Sequence, residues 1–555
     1  MNWILGLLSV LIIIFLATNF SRKKRLKRLK ERLIDQWGRK SEETHYHFFS
    51  IARYFENNRH KKSAYHIVSN KTSLDLDLDE VFKFIDRTTS KVGQQYLYFK
   101  LRTIGTVDRL KEFSSLVNLF KKESELRLRC QVYLSRLNSN DAYALEELIN
   151  GQQIQKPKIY WLLQSLTVAA IIAIIMAFFY PVFILLLIPI LAVNSFFHYR
   201  NKDNVNYYVS GVKQLSIALS VSKRLSGIDE LSSFFKDFSF VKKIDAIRLK
   251  TEFIAFEKKL DNEFAAISWF LIELVKIQFN IEYIIFFSFI DAVNREKDSI
   301  DAMFRFIGEV DSAISIASVQ SGQEIICHPK FSKGKEIIVK EISHPLIVNC
   351  VPNDFQLIDQ SLLLTGSNMS GKTTFIRTVA INSILAQTFY MCFAKEFKAP
   401  FFKVFSSIRI ADDITENTSY YLEEVVSIKE AVDASNEKEP YLFILDEIFK
   451  GTNTIERVSG GKAILSYLSK GPHVVLVSTH DIELTDLLTE KEYQLFHFTE
   501  QIDKEELRFD HKLKKGKLKT RNAIRILEMY DYPKEIIMDA KDVKYSKFES
   551  ESIQE

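Results

Sequence analysis

Thr365-Gly-Ser-Asn-Met-Ser-Gly-Lys-Thr-Thr374 is the stretch whose reading decides the fold. From Gly366, through Ser367, Asn368, Met369, Ser370, Gly371 and Lys372, to Thr373 it fits G-x-x-x-x-G-K-[ST]. The apolar run Ser361-Leu-Leu-Leu precedes it, and the helix-compatible run Phe375-Ile-Arg-Thr-Val-Ala-Ile follows. Strand, loop and helix in that order are the context that separates a phosphate-binding loop from a chance glycine-rich turn. The glycines let backbone N–H groups converge on phosphate oxygens, and the helix that follows points its positive end at the same anion. Lys372 supplies a charge to the β- and γ-phosphates, and the Thr373 hydroxyl, with Thr374 next to it, offers a ligand for Mg²⁺. The implied ligand is ATP with Mg²⁺.

Two apolar strands downstream end in chemistry. Tyr441-Leu-Phe-Ile-Leu-Asp446-Glu447 delivers Asp446 to a strand end, where it can hold Mg²⁺ through water. Glu447 follows and can polarise an attacking water. Acidic residues at a strand end are common in isolation, but here a phosphate loop lies about seventy residues upstream. Val474-Val-Leu-Val-Ser-Thr-His480-Asp481 is the other such strand. His480 can contact the γ-phosphate there, although a histidine at a strand end is often only a polar loop residue. The catalytic candidates are therefore Glu447, Lys372 and His480, and the metal candidates Thr373 and Asp446.

The chain has 555 residues, enough for three or four domains, and a net charge of +5 that says little about partners. Its four cysteines, Cys130, Cys327, Cys350 and Cys392, show no metal-ligand spacing and read as reduced thiols. Residues 3–20 are uncharged and mostly apolar, about the minimum for a bilayer span. Arg22, Lys23, Lys24, Arg25, Lys27, Arg28, Lys30 and Arg32 follow, placing the N-terminus outside and the basic segment in the cytosol. A signal peptide is the rival reading, but its charges would come before the apolar run. No charged residue occurs between Lys158 and Arg200, long enough for two spans reversing near Tyr180-Pro181. The expectation is three predicted transmembrane helices, a multi-pass membrane protein on a lipid bilayer, and both large polar portions in the cytoplasm. The apolar stretch Phe264–Val293 carries Glu273, Lys276 and Glu282 and reads as core helices.

No proline occurs before Pro157 or between Pro189 and Pro329, and apolar residues recur at helical spacing (Leu110, Phe113, Leu116, Val117, Phe120). From about Gln323 short β-branched runs alternate with helical segments, which predicts a parallel sheet with helices. The expected layout is a transmembrane helix at 1–20, a basic juxtamembrane linker at 21–72, and helical lever parts at 73–158 and 200–320. A membrane hairpin at 159–199 separates the two lever parts, and an ATPase domain with a C-terminal helical tail occupies 321–555.

The loop at 365–374 resembles that of the MutS mismatch-repair ATPases, Thr-Gly-x-Asn-Met-x-Gly-Lys-Ser/Thr. Asp446-Glu-Ile-Phe-Lys-Gly-Thr-Asn-Thr454 is similar to that family's Asp-Glu-Ile-Gly-Arg-Gly-Thr-Ser-Thr, and Ser478-Thr-His-Asp481 to its Ala-Thr-His segment. The segment from Arg409 to Ser419 resembles the one that presents a serine to the partner subunit's ATP, and Ser419 takes that position. Weaker similarity runs through Leu74–Gly93, Ile307–Ala317, Ser343–Ile347 and Gly516–Ala540. The resemblance implies an α/β ABC-type P-loop ATPase domain C-terminal to a long-helix α domain. It further implies a homodimer through the ATPase domain, and DNA as a partner.

Departures from the pattern shape that expectation. The family's mismatch-reading domains need a few hundred residues before the core, and only about fifty lie between residue 20 and Leu74. Tyr54-Phe-Glu56 superficially resembles a mismatch-reading wedge but reads as an ordinary amphipathic helix. Cys350 takes the place of an adenine-stacking aromatic. Val458-Ser-Gly-Gly-Lys462 resembles an ABC-transporter signature on the wrong side of the Asp-Glu strand. Lys512, Lys514, Lys515, Lys517, Lys519 and Arg521 form a basic run that reads as a solvated hairpin, with phosphate-backbone contact as the alternative. The function expected is a membrane-tethered, MutS-like ATP-hydrolysing switch that binds mismatched, branched or damaged DNA. The alternative is a membrane-anchored mechanical or scaffolding ATPase that does not bind DNA.

Overall fold

The computed structural model describes residues 2–151, 160–244, 273–367, 370–409, 420–503, 506–518, 527–528 and 530–541. The chain forms two compact units, one of residues 1–63, 85–100 and 111–323, the other of residues 64–84, 101–110 and 324–555.

The first unit is helical. Its axis is the helix Lys297–Ser321, in which every residue from Val310 to Gln320 is buried. Small residues make that possible. A Cβ at Gly308 would overlap the Tyr96 ring, and one at Gly93 would overlap the Asp311 carboxylate, so the helix Lys91–Arg102 packs with almost no gap. Asp311 is fully buried and accepts from the Thr89 and Ser90 N–H groups (2.9 and 2.8 Å) and the Ser90 hydroxyl (2.6 Å). It thereby satisfies donors at the start of that helix. Burial still pushes its carboxyl up to about 7. Tyr54 is core, stacked between His60 and Phe304 at 3.9 and 4.4 Å, which accounts for the Tyr54-Phe-Glu56 segment without any reading role.

Asn2–Asp35 is one continuous helix, so the basic residues that follow position 20 extend the same rod. Tyr160–Ala177 and Leu187–Ser226 form the expected hairpin, reversing through the 3-10 turn Pro181–Leu186. Two helical stretches among the described residues, Tyr160–Ala177 and Pro181–Arg200, are long and apolar enough to cross a membrane, against the three expected. Both have a mean hydropathy of 2.0 and are only 17% buried. Val168, Ile172, Ile175, Phe178, Ile184 and Ile188 all face outward. The turn before the helix Ile281–Arg295 docks on this hairpin. Thr167 donates to the Phe279 carbonyl (3.0 Å) and Asn194 to that of Gln278 (2.8 Å). Phe286, Phe287 and Phe289 are buried, and Glu273, Lys276 and His198 form ion pairs beside the hairpin. Residues 264–272 of the expected core helices lie outside the described residues.

The second unit is α/β. Its strands are β1 His66–Ile67, β2 Thr103–Ile104, β3 Lys330–Ser332, β4 Glu336–Ile342, β5 Asn353–Ile358, β6 Ser361–Thr365, β7 Glu396–Pro400 and β8 Lys403–Ser407, then β9 Tyr441–Asp446, β10 Val474–Thr479, β11 Tyr493–His497, β12 Glu500–Asp503, β13 Glu506–Phe509 and β14 Lys514–Lys515. The main sheet runs β14-β11-β6-β10-β9-β8, parallel from β11 to β8 with β14 antiparallel at the edge. Its central strands are apolar and buried along their length, as a parallel sheet covered on both faces requires. Phe443, Leu445, Val475 and Val477 pack with Ile428, Val458 and Leu465 from the helices Tyr420–Ala434 and Thr454–Leu468. Val458-Ser-Gly-Gly-Lys462 lies in the second of these helices. A second sheet runs β3-β7-β4-β5, and β1-β2 and β12-β13 form two-stranded sheets.

Residues 64–84 are pinned to the main sheet by charge. Asp75 accepts from the Ser406 hydroxyl (2.6 Å) and from the N–H groups of Ile408 and Arg409 (3.1 and 2.9 Å). Asp77 pairs with Arg409 (2.8 Å) and Arg377 (3.1 Å).

The gap-free contact at Gly308 predicts that Gly308→Ala destabilises the helical unit by about 1–3 kcal/mol, the usual cost of overpacking. Urea denaturation of the detergent-purified chain, followed by tryptophan fluorescence and circular dichroism, would show an unchanged midpoint if that packing were absent.

Candidate nucleotide site

The parallel register brings three strand ends together. Leu476 to Thr479 of β10 lie beside Leu362 to Thr365 of β6, and Ser478 lies opposite Asp446 at the end of β9. The loop after β6 leaves the sheet at Gly366 (φ +147°) and enters the helix Lys372–Phe389 at Gly371 (φ +101°). Both φ values lie in the region that favours glycine. A Cβ at Gly371 would also sit a tight 3.3 Å from the His511 ring.

Lys372 is buried, and its ammonium donates to the carbonyls of Gly366 (2.6 Å) and Ser367 (2.9 Å). Burial holds it below the usual lysine pKa, against the pull of Glu447 and Asp446. The Thr373 hydroxyl donates to one oxygen of Asp446 at 2.9 Å, and the Ser478 hydroxyl donates to the other. Two hydroxyls around one carboxylate make a hard oxygen set of the kind Mg²⁺ takes. Ser370 closes the loop by donating to the Ser367 carbonyl (2.7 Å), while the Ser367 hydroxyl is buried with no hydrogen-bond partner among the described residues. The Thr374 carbonyl accepts from Thr378 (2.7 Å), and the Thr374 side chain is exposed.

Glu447 turns the chain sharply (φ +55°), and its N–H donates to the Ser478 carbonyl at 2.8 Å. Its carboxylate is paired with His480 on one oxygen and Lys450 (2.9 Å) on the other. Burial pushes this carboxyl up, but the hydrogen bonds from His480 and Lys450 outweigh burial and hold it at about 2. It is therefore ionised at neutral pH. Such a group orients water by accepting a hydrogen bond and is a weak proton acceptor. Lys450 is placed in turn by Glu424, a buried carboxylate that accepts the Lys450 N–H at 3.1 Å. Asp481 forms a two-pronged pair with Arg457 (2.7 and 2.9 Å), fixing the turn after His480.

The structure thus brings Gly366, Ser367, Ser370, Gly371, Lys372, Thr373, Asp446, Glu447 and His480 to one edge of the sheet. Asn368, Met369 and Ser419 lie outside the described residues. Cys350 is half-buried, and its sulfur accepts from the His344 N–H at 3.3 Å. In the basic run, Lys514 pairs with Asp510 and Lys517 with Asp486, and Lys512 donates to the Pro352 carbonyl.

Three contributors were not singled out from sequence. Ser478 stands where the resembled segment has alanine, and that difference is its signal in the sequence. Lys450 sits three residues past Glu447 in the quoted Asp-Glu segment. His511, whose Nδ1 lies 3.2 Å from the Ser370 carbonyl, carried no local signal.

The family model described as MutS domain V matches residues 362–548. The DNA mismatch repair protein MutS of Aquifex pyrophilus is 29% identical over 272 residues, covering 47% of this chain and 32% of that protein. The protein of the same name from Staphylococcus aureus strain JH9 is 31% identical over 281 residues, covering 49% and 32%. The match therefore spans about a third of the length of these relatives. These matches identify residues 362–548 as a MutS domain V, and through that domain the chain is related to the MutS proteins.

Proposed function

We propose that this chain is a MutS-type switch that binds and hydrolyses ATP. The observation that carries the reading is the meeting of Lys372, Thr373, Asp446, Glu447 and His480 at three neighbouring strand ends. The phosphates would lie against the loop from Gly366 to Thr374, with the unpartnered Ser367 hydroxyl among its donors. Lys372 would exchange two carbonyl partners for phosphate oxygens. Thr373 and Asp446 would hold Mg²⁺, which neutralises phosphate charge when bound. Glu447 would orient the attacking water, and His480 would hold Glu447 in place.

The partners belong to the same proposal. A homodimer would place Ser419 of each copy at the other's ATP, and DNA would be the substrate the switch clamps. The relatives named for DNA mismatch repair support DNA. The outward apolar face of the hairpin supports a lipid bilayer, and with it the second reading, a membrane-anchored mechanical ATPase that does not bind DNA. The helix at Asn2–Asp35 fits a third span less well. Arg22 and Ser220 both lie close to Arg136, and Ser220 is about 20 residues, or ~30 Å of helix, beyond Arg200. One flat bilayer does not put both Arg22 and Arg200 at its surface.

Lys372→Ala is expected to abolish phosphate release, and Glu447→Gln to retain nucleotide binding while slowing turnover by about 10²–10⁴-fold. Wild-type turnover in either purified variant refutes the assigned roles. A membrane-spanning hairpin predicts that the chain resists carbonate extraction. Ile172→Arg, costing about 2.5–3.5 kcal/mol at a span centre, should release a substantial fraction. Extraction of the unmodified chain would remove the membrane from this reading. DNA binding predicts that mismatched or branched duplexes stimulate ATP hydrolysis and that their retardation in gels falls steeply with salt. Hydrolysis that is indifferent to every duplex selects the second reading.

A further inference from the structure

The helical unit carries a cluster of cations that the nucleotide site does not use. An open cavity of about 600 Å³ lies between the N-terminal helix and the turn after Leu134, and Arg25, Arg28, Arg32, Arg136, Ser135 and Asn138 supply its polar lining. Four arginines and no carboxylate line it. Among the described residues none of these four forms an ion pair. The ion pair Lys27–Glu31 on the same helix (3.9 Å) does not line the cavity. Arg136 donates to the Ser220 hydroxyl at 3.1 Å, which fixes its direction. Burial, and then the neighbouring charges of Arg224 and Arg22, hold its guanidinium below the usual value.

A second cavity shares Arg32, Ser135 and Asn138 with the first and reaches Arg87. All three guanidinium nitrogens of Arg87 are buried without a hydrogen-bond partner among the described residues. Desolvation lowers its pKa to about 10, although Asp86 pulls the other way. The acids on this side are Glu42, which accepts from Gln36 (3.1 Å), and Asp35, which pairs with Arg39 (3.1 Å).

Guanidinium groups match phosphate oxygens two by two, and a concave basic surface concentrates anions. The first cavity falls in the size range of small-molecule sites. We propose that this cleft is a binding site for a phosphate-bearing polyanion, held chiefly by Arg28, Arg32 and Arg136. The same chemistry is found in soluble oligophosphates and in acidic lipid headgroups. On the membrane reading above, Ser220 stands ~30 Å of helix beyond Arg200, deeper than headgroups extend, which favours a soluble anion.

The test uses the full chain in detergent with Lys372→Ala, so that phosphate binding at the nucleotide loop is weakened in every arm. Calorimetry with inorganic pyrophosphate should give one site per chain. Adding Arg28→Gln and Arg136→Gln should weaken it at least about tenfold, the loss of roughly one charge-assisted hydrogen bond, with an unchanged circular dichroism melt. In a second arm, nanodiscs of phosphatidylglycerol are compared with phosphatidylcholine. Arginine-dependent preference for phosphatidylglycerol supports the site and assigns a lipid source, whereas pyrophosphate binding alone assigns a soluble one. Binding of neither in an arginine-dependent way overturns the proposal. Comparing pyrophosphate uptake with and without Lys372→Ala separates failure of the nucleotide-site reading from failure of this one.

Discussion

The carboxylate of Asp446 is the constraint on which the rest of the site depends. It ends β9, takes the Ser478 hydroxyl from β10 on one oxygen, and takes Thr373, from the helix that follows β6, on the other. A half-buried charge of this kind is tolerable only because both oxygens are hydrogen-bonded. The same bonds fix how far the phosphate loop stands from the Asp-Glu strand. Glu447, Lys450 and His480 then follow by short chain from those strand ends, so their placement costs little further ordering.

Much of this was legible in the sequence because its signals are local. Apolar runs of four to six residues ending in Thr365, Asp446 or Thr479 are buried parallel strands, and the two glycines of the loop mark its turns. The contributors missed are those whose partners are distant along the chain. Asp75 and Asp77 sit in an alternating Leu-Asp stretch that reads as the beginning of a helix. Their hydrogen bonds go to Ser406, Ile408 and Arg409, more than three hundred residues away. His511 and Asn353 are of the same type. Asn353 donates to the His511 carbonyl (3.0 Å) and accepts from the Leu513 N–H (2.8 Å), bringing His511 against the phosphate loop. No periodicity encodes such a contact.

The helical unit shows the same limit in another form. Its long helices were evident from the lack of proline and the spacing of apolar residues. The density of its core was not, because it depends on which glycine faces which ring. Gly308 and Gly93 read as helix-weakening residues in isolation, yet each admits a side chain that nothing larger would tolerate. Buried Asp311 likewise looks unfavourable until its three donors at the start of the neighbouring helix are counted.

Every charge at the nucleotide site already has an internal partner, and this determines what a ligand must do. Lys372 is bound to two carbonyls of its own loop, and Glu447 to His480 and Lys450. On the proposed function, phosphate binding would therefore be an exchange of partners, worth far less than the same contacts made to free charges. The exchange also has a route outward. Lys450 is held by Glu447 through its ammonium and by buried Glu424 through its backbone. Burial pushes the Glu424 carboxyl up, so weakening its hold on the loop after Glu447 leaves a charge on the helix Tyr420–Ala434 that is costly to bury. On the proposed function, movement of Lys450 would be felt by that helix, and a change in phosphate charge would reach a whole structural element.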